Sequence, residues 1–176
     1  MYIWIGCKLP TDFETAVRSR CLEANKDIGL DTVAFSLPQH VSLKISFQSA
    51  CYQEILNDLT ALFKEQLPFS LRIQPAERSG NILWLPVAEN LQLQQLHRQL
   101  DTRLARCFGV PQHPFDKCFR FHSTLFMDAD IGKLSCMHER LASFPAAQEL
   151  IIDTFLLGLS ETGKPGQYHV VREIKV

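Results

Sequence analysis

The sequence predicts an α+β fold rather than a doubly wound parallel sheet. Helical and extended patterns interleave along its 176 residues, but two turn-rich connectors, Arg78–Asn81 and Glu161–Gly166, predict antiparallel hairpins in the middle and at the end. No Gly-rich phosphate loop is present. The order strand, helix, strand, helix in the first part recurs in the second without a linker between them. We therefore expect residues 1–176 to form a single two-lobed domain.

The first part begins with an extended segment, YIWIGCKL. A capping-box pattern at Thr11–Glu14 then predicts the start of a helix that runs to about Gly29. A short alternating strand, HVSLKISF, comes next. A second helix is predicted from about Ala50 to Glu65, because its apolar residues recur at helical spacing until Pro68.

In the second part, FSLRIQPAE and NILWLPVAE are predicted to pair with each other as a hairpin around Arg78–Asn81. A leucine-rich helix should begin at Asn90 and close at Gly109, and the strand FRFHSTLFMD follows. A fourth helix is predicted from about Asp130, and its pattern is broken at Pro145. The chain should end in a hairpin of ELIIDTFLLGLS and QYHVVREIKV.

The composition excludes several classes of protein. Hydrophobic residues make up 46% and charged residues 21%, which is typical of a globular protein. A net charge of -1 argues against a protein that wraps long nucleic acid, although a small or terminal phosphate needs only a local cluster of donors. No apolar run approaches membrane-spanning length, and the amino terminus does not resemble a secretory signal, so a cytoplasmic protein is expected. The six cysteines include no C-x-x-C pair.

The most informative feature is a tripeptide of histidine, any residue and a small hydroxyl residue, which occurs at His40–Ser42 and again at His122–Thr124. Both copies lie in alternating segments, where successive side chains point to opposite faces. Histidine and hydroxyl therefore share one face of each strand. The predicted polar faces are His40, Ser42, Lys44 and Ser46 in the first strand, and Arg120, His122, Thr124, Phe126 and Asp128 in the second. The opposite faces are Val41, Leu43, Ile45 and Phe47, and Phe119, Phe121, Leu125 and Met127.

Other residues on these strands allow two interpretations. Lys44 and Arg120 would either hold a second phosphate or lie at a solvated strand edge. Phe126 would either stack on a base or pack against the neighbouring strand, and Trp84 and Tyr168 are weaker candidates for stacking. His97 is expected at the exposed border of the third helix. A metal site of His40, His122 and Asp128 is disfavoured, because one strand would have to present ligands six residues apart.

The two motifs and the final hairpin FLLGLSETGKPGQYHV resemble the 2H phosphoesterase superfamily, which is named for a duplicated His-x-Thr/Ser motif. The most similar branch is that of the 2'-5' RNA ligases, or RNA 2',3'-cyclic phosphodiesterases. The resemblance extends over nearly the whole chain and is strongest at HVSL and HSTL. It implies a bilobal fold with pseudo-two-fold symmetry, in which two antiparallel sheets with outer helices enclose a central cleft. Ser42 replaces the threonine of many relatives but keeps the hydroxyl.

The resemblance also implies metal-independent hydrolysis of 2',3'-cyclic phosphates on RNA ends or nucleotides, with reversible 2'-5' ligation as a related activity. His122 is assigned as the base and His40 as the acid by analogy, a task that suits imidazole at neutral pH. Ser42 and Thr124 would donate hydrogen bonds to the phosphoryl oxygens. No cofactor is expected, and the protein should be a monomer.

Two alternatives stay open. The same site would act on another phosphodiester, such as an ADP-ribose cyclic phosphate, a 2',5'-oligoadenylate or an oligouridine tail. Otherwise the cleft would bind a nucleotide or an RNA end without catalysis.

Overall fold

A computed structural model describes all residues, 1–176, and confirms the α+β class. In chain order the elements are β1 (Tyr2–Lys8), α1 (Thr11–Asn25), the 3-10 helix Val33–Ser36, β2 (His40–Ser42), β3 (Phe47–Gln48), α2 (Tyr52–Lys64), β4 (Phe69–Ile73), β5 (Glu77–Ser79), β6 (Ile82–Pro86), α3 (Leu91–Phe108), the 3-10 helix Pro114–Cys118, β7 (His122–Met127), α4 (Ile131–Arg140), β8 (Gln148–Ile152), β9 (Thr154–Ser160) and β10 (His169–Lys175). No helix is both long and apolar enough to cross a lipid bilayer.

The first sheet contains the first histidine strand at one side. Its order is β10-β9-β1-β2, β3 also pairs with β1, and all pairs are antiparallel. Alternate residues of β1, from Ile3 to Cys7, are buried in the hydrophobic core. The register pairs Gly6 with Ser42 and Lys8 with His40. Because cross-strand partners share a face, the first motif lies on the face of β1 that points away from Ile3 and Cys7.

The second sheet repeats this order with different strands. The pairs β4-β8 and β5-β6-β7 are joined by a bridge between Ile73 and Val87, with Gln74 N–H donating to Pro86 O at 2.8 Å. The resulting order, β8-β4-β6-β7, matches β10-β9-β1-β2. In both halves the histidine strand is the last strand of this order. It pairs with the strand that precedes it in the chain, and one α-helix and one 3-10 helix lie between the two. This repetition is the pseudo-two-fold symmetry that the resemblance implied.

The helices follow the same symmetry, under which α1 corresponds to α3 and α2 to α4. Arg140 of α4 donates to Ala24 O of α1 at 2.9 Å, and Arg103 of α3 donates to Asp58 of α2 at 2.6 Å. Each contact therefore joins a helix of one half to a helix of the other. A hydrophobic cluster of 39 buried residues includes side chains from both sheets and all four helices.

The start and end of α1 differ from the prediction. The helix begins at Thr11 itself and is preceded by Pro10, and no side chain caps it, so the predicted capping box does not form. It ends at Asn25 rather than near Gly29. The reason is that the Asn25 side chain bonds to both the N–H and the C=O of Leu30, at 2.8 and 2.9 Å, and turns the chain back.

The predicted central hairpin forms, but its first arm also pairs with a second strand. Glu77–Ser79 pairs with Ile82–Pro86 around Gly80, and the bridge between Ile73 and Val87 continues this pairing, while Phe69–Ile73 also pairs with Gln148–Ile152. The segment ELIIDTFLLGLS is likewise divided at Asp153 into β8 and β9, which lie in different sheets. The pairing of β9 with β10 confirms the final hairpin. Alternation predicts that a segment is extended, but it does not identify the partner strand.

Candidate active site

Both motif strands line one open cleft with a volume of about 670 Å³. The side chains of His40, Ser42, His122 and Thr124 all line this cleft. Ser123, the residue between the second histidine and its hydroxyl, points the other way and is buried. Its hydroxyl donates at 2.9 Å to the side chain of Gln39, the residue just before the first motif, and so connects the two motif strands. The structure thus brings together the four residues that strand alternation predicted.

The two imidazoles are held in the same way. His40 Nδ1 lies 2.7 Å from the carbonyl oxygen of Pro38, and His122 Nδ1 lies 2.6 Å from that of Arg120. In each case the acceptor is the carbonyl two residues earlier. A carbonyl oxygen can only accept, so Nδ1 carries the proton in both rings. Each neutral imidazole therefore keeps an unprotonated Nε2 available for a ligand.

Each imidazole also packs against an indole. The ring centroids of Trp4 and His40 are 4.3 Å apart with the planes at 70°, and those of Trp84 and His122 are 4.2 Å apart at 39°. Sequence analysis named Trp84 but missed Trp4. The available signal was glycine: a Cβ on Gly6 would lie 2.8 Å from the Trp4 ring, so only glycine leaves space for that indole beside His40.

Burial lowers the basicity of both imidazoles. It lowers the pKa of His40 to about 4, and the charge of His122 acts in the same direction. Burial also lowers the pKa of His122, and the neighbouring guanidinium of Arg120 acts in the same direction. Both rings are therefore neutral at pH 7 in the free protein. An anion in the cleft would favour protonation of either ring, because opposite charges stabilise each other.

The Ser42 hydroxyl is prepared to act as a donor. Its Oγ accepts a hydrogen bond from Trp4 Nε1 at 3.2 Å, which leaves the O–H itself free to donate. The Thr124 hydroxyl lies on the equivalent position of the second strand and lines the same cleft. Two hydroxyl donors thus accompany two imidazoles.

The two basic residues of the motif strands occupy different environments. Arg120 is exposed at the cleft, and its guanidinium carbon lies 5.3 Å from the centroid of the Trp84 ring. The Lys44 ammonium instead donates to Asp101 and Asp116, both at 2.6 Å, and its side chain is only 2% exposed. The alternative of a solvated strand edge is therefore wrong. The alternative of a phosphate contact stays a prediction, because Lys44 lines the cleft but its ammonium is bound to the two carboxylates. The strand ends at Ser42, so alternation no longer places residue 44.

His97 is also placed differently from the prediction. It is buried, with Nδ1 at 2.7 Å from Leu43 O and Nε2 at 3.0 Å from Asp116 O. Its position four residues after Leu93 and three before Leu100 puts it on the apolar stripe of α3, a signal that the prediction overlooked. Hydrogen bonds from Lys44 and from the His113 N–H outweigh burial and hold the pKa of Asp116 below its usual range.

This cluster contains the one group of potential metal ligands, since His97, Asp101 and Asp116 offer atoms within 4.8 Å of one another. The Lys44 ammonium already binds both carboxylates, so the cation position between them is filled by the protein itself. Asp128, the third residue of the disfavoured metal site, does not line the cleft. Its carboxylate accepts from the N–H of Asp130 at 2.8 Å.

Phe126 is not a cleft residue, which corrects the prediction that it shares a face with His122 and Thr124. The register of β7 against β6 shifts between Thr124 and Phe126, so a β-bulge at Leu125 reverses the alternation. Phe126 is fully buried and packs edge-to-face on Phe35 at 5.4 Å. Met127 takes a place in the cleft wall instead. Trp84 and Tyr168 do line the cleft.

Comparison with known proteins agrees with this geometry. The family model of the 2'-5' RNA ligase superfamily matches residues 17–157. The apo structure of Escherichia coli LigT has a TM-score of 0.69 at 19% identity, covering 99% of this chain and 96% of LigT. TT0787 of Thermus thermophilus has a TM-score of 0.67 at 19% identity, covering 99% and 97%. A protein solved as a phosphoesterase has a TM-score of 0.65 at 20% identity, covering 99% and 98%.

No curated protein matches the sequence significantly. The family model spans most of the chain, and it includes both histidine motifs. The chain belongs to the 2'-5' RNA ligase superfamily, whose members are 2H phosphoesterases.

Proposed function

We propose that this protein is a metal-independent phosphodiesterase that opens 2',3'-cyclic phosphates on RNA ends or nucleotides. The observation that carries the proposal is that the two histidines each make the same kind of hydrogen bond. Because each Nδ1 donates to a backbone carbonyl, both His40 and His122 keep Nε2 for proton transfer within one cleft. The reaction needs a base on one side of the phosphorus and an acid on the other.

The residues suffice for a balanced hydrolysis. Nε2 of His122 takes a proton from water as the water oxygen bonds to phosphorus. The bond between phosphorus and one ribose oxygen breaks, and that oxygen receives a proton from Nε2 of protonated His40. Ser42 and Thr124 donate hydrogen bonds to the two non-bridging oxygens, where negative charge increases in the transition state. The same sequence, with a 5'-hydroxyl in place of water and the ribose 3'-oxygen as the leaving group, is 2'-5' ligation, and its reverse regenerates the cyclic phosphate.

Burial and substrate charge together give the required protonation states. The free imidazoles are neutral because burial lowers the pKa of each. The cyclic phosphate brings one negative charge, which favours protonation of one ring, and charge repulsion then keeps the other ring neutral. We expect a bell-shaped dependence of rate on pH, whose limbs belong to the coupled pair.

The donor types in the cleft favour catalysis without a metal ion. Imidazole and hydroxyl side chains converge there, whereas the divalent ions that activate phosphates bind preferentially to carboxylates. The paired carboxylates of Asp101 and Asp116 are bound to Lys44. Structures of E. coli LigT in complex with phosphate, with ATP and with 3'-AMP support a nucleotide or RNA terminus as the ligand class here.

The test is hydrolysis of 2',3'-cyclic AMP in the presence of EDTA by the wild type, His40→Ala and His122→Ala. His169→Ala is the matched control, because His169 is exposed on β10 and lies outside the cleft. Turnover that persists in EDTA and His169→Ala, and is lost in the other two variants, supports the proposal. Loss of wild-type turnover in EDTA, or activity of both cleft variants, contradicts it.

The same assay separates the alternatives. Parallel incubations with an ADP-ribose cyclic phosphate, a 2',5'-oligoadenylate and an oligouridine-tailed RNA identify a different phosphodiester substrate. Nucleotide binding without hydrolysis of any substrate identifies a binding module.

A further inference from the structure

Five aromatic side chains line the cleft, and four of them are already engaged by the protein. Trp4 and Trp84 pack on the two histidines, Phe119 stacks on the His97 ring with centroids 4.8 Å apart at 25°, and the Tyr168 hydroxyl lies 3.4 Å from Gly163 O. The fifth, Phe115, is 71% exposed. Its nearest aromatic neighbour is His113, at 5.3 Å and 47°.

The backbone that carries Phe115 is held firmly. Phe115 lies in the 3-10 helix Pro114–Cys118, and its N–H donates to His113 Nδ1 at 3.2 Å. The next residue, Asp116, is 4% exposed and accepts hydrogen bonds from His113 N–H at 2.9 Å and from Lys44 Nζ at 2.6 Å. A buried ion pair thus connects this turn to the chain that leaves the first motif.

Burying charges in this way costs desolvation, which ordinary packing would avoid. The result is a turn fixed to the catalytic strand, with a phenyl ring presented to the cleft. Lys117, two residues after Phe115, and Arg120 are exposed and positively charged, and Arg120 lines the same cleft. A phosphorylated ligand with an aromatic group would match both the charge and the open ring.

We infer that Phe115 is the platform on which the nucleobase of the substrate stacks. The inference rests on the proposed function and narrows its substrate class to cyclic phosphates that carry a base. Phenyl rings stack on every base, because every base has a π face. Adenine, with the larger face, should gain more from the platform than uracil.

The experiment compares three substrates: 2',3'-cyclic AMP, 2',3'-cyclic UMP and the base-free methyl ribofuranoside 2',3'-cyclic phosphate. The enzymes are the wild type, Phe115→Ala, Phe115→Trp and Leu67→Ala. Leu67 is the matched control, because it is 80% exposed and does not line the cleft. Stacking contributes ~1–3 kcal/mol per base, which corresponds to about 5- to 150-fold in KM.

We expect Phe115→Ala to raise KM for cyclic AMP by about tenfold, with kcat nearly unchanged, and to raise KM for cyclic UMP less. KM for the base-free substrate should not change. Phe115→Trp should retain the wild-type KM values, since indole also offers a stacking face. An equal effect of Phe115→Ala on all three substrates, or no effect on any, would overturn the platform.

A second measurement separates this inference from the proposed function. Calorimetric binding of 3'-AMP and of inorganic phosphate to the wild type and Phe115→Ala requires no turnover. Weaker binding of 3'-AMP with unchanged binding of phosphate supports the platform even if the wild type hydrolyses nothing. Equal affinities of both proteins for 3'-AMP reject the platform even if hydrolysis is observed.

Discussion

In the first half of the molecule, His40 packs against an indole that donates to Ser42, whereas in the second half, His122 packs against an indole without a hydrogen-bond partner. The imidazoles themselves are held identically, each by the carbonyl two residues before it. This hydrogen bond, which both imidazoles make, is what proton transfer at Nε2 requires. The differences concern the surroundings, where the two sides of an asymmetric substrate would lie.

The basic residues of the two halves also differ in their surroundings. Lys44, which follows the first motif, is buried between two carboxylates and fixes the Phe115 turn. Arg120, which precedes the second motif, is exposed above Trp84 and remains available to a ligand. The halves therefore share the histidine and hydroxyl of the motif, while one basic residue has a structural role and the other faces solvent.

The largest expected effect tests whether the two halves act as one unit. His40→Ala and His122→Ala should each lower kcat by about 10²- to 10⁴-fold, because each removes an acid or a base. The kcat of the double variant should lie less than about tenfold below that of the slower single variant, since the remaining partner cannot work alone. Steady-state rates with 2',3'-cyclic AMP provide the measurement. Effects that multiply would mean that the histidines act independently.

The next prediction contrasts the two basic residues. Lys44→Met removes the cation that binds two buried carboxylates and should reduce the free energy of unfolding by about 3–5 kcal/mol. Arg120→Met changes an exposed side chain and should alter it by less than about 0.5 kcal/mol. Urea denaturation of both variants at pH 7 measures the difference. Equal stabilities would show that the buried pair has no structural role.

The pH dependence of stability provides a third test. The pKa of His40 is about 4 in the folded protein and about 6.5 when unfolded, so the unfolded chain binds the extra proton between these values. The stability contribution is complete above pH 6.5 and is lost as the pH falls towards 4, by about 2 kcal/mol after allowance for partial solvation.

His40→Asn should remove this loss, and His122→Asn should remove a loss of the same sign. The midpoints of urea denaturation at several pH values between 4 and 7, compared between each variant and the wild type, measure this loss of stability. A His40→Asn protein that loses as much stability in acid as the wild type would contradict the burial of a neutral imidazole.

The smallest effect concerns the indoles. Trp4→Phe removes the hydrogen bond to Ser42, whereas Trp84→Phe removes a buried N–H that has no partner. Both changes remove similar volume, so we expect Trp4→Phe to cost about 1 kcal/mol more than Trp84→Phe. Denaturation midpoints of the two variants, compared at pH 7, measure this difference. A larger loss of stability for Trp84→Phe than for Trp4→Phe would contradict the assignment of the hydrogen bond to Trp4.

Sequence alternation was sufficient to predict the four motif residues, because both motifs lie within regular strands. It failed where regularity ends. The bulge at Leu125 turned Phe126 into the core and Met127 into the cleft, and the end of β2 at Ser42 released Lys44 from the pattern. Periodicity contains no information about either interruption.

Contacts between distant segments were also not predictable. Lys44 meets Asp116 across 72 residues, and one edge of β4 pairs with β8, which is distant in the sequence. Phe115 escaped notice because its loop shows no periodic pattern, and its significance depends on exposure within a shared cleft. His97 differs, since its place on the α3 stripe was readable from spacing.

The central claim is that His40 and His122 converge on a single phosphoryl group. Its most direct test is a titration of inorganic phosphate, in EDTA, into protein with isotope-labelled histidine rings, followed by NMR. The account predicts that the Nε2 resonances of both residues shift along one binding curve with one phosphate per chain. Shifts of only one ring, or two curves with different affinities, would contradict it.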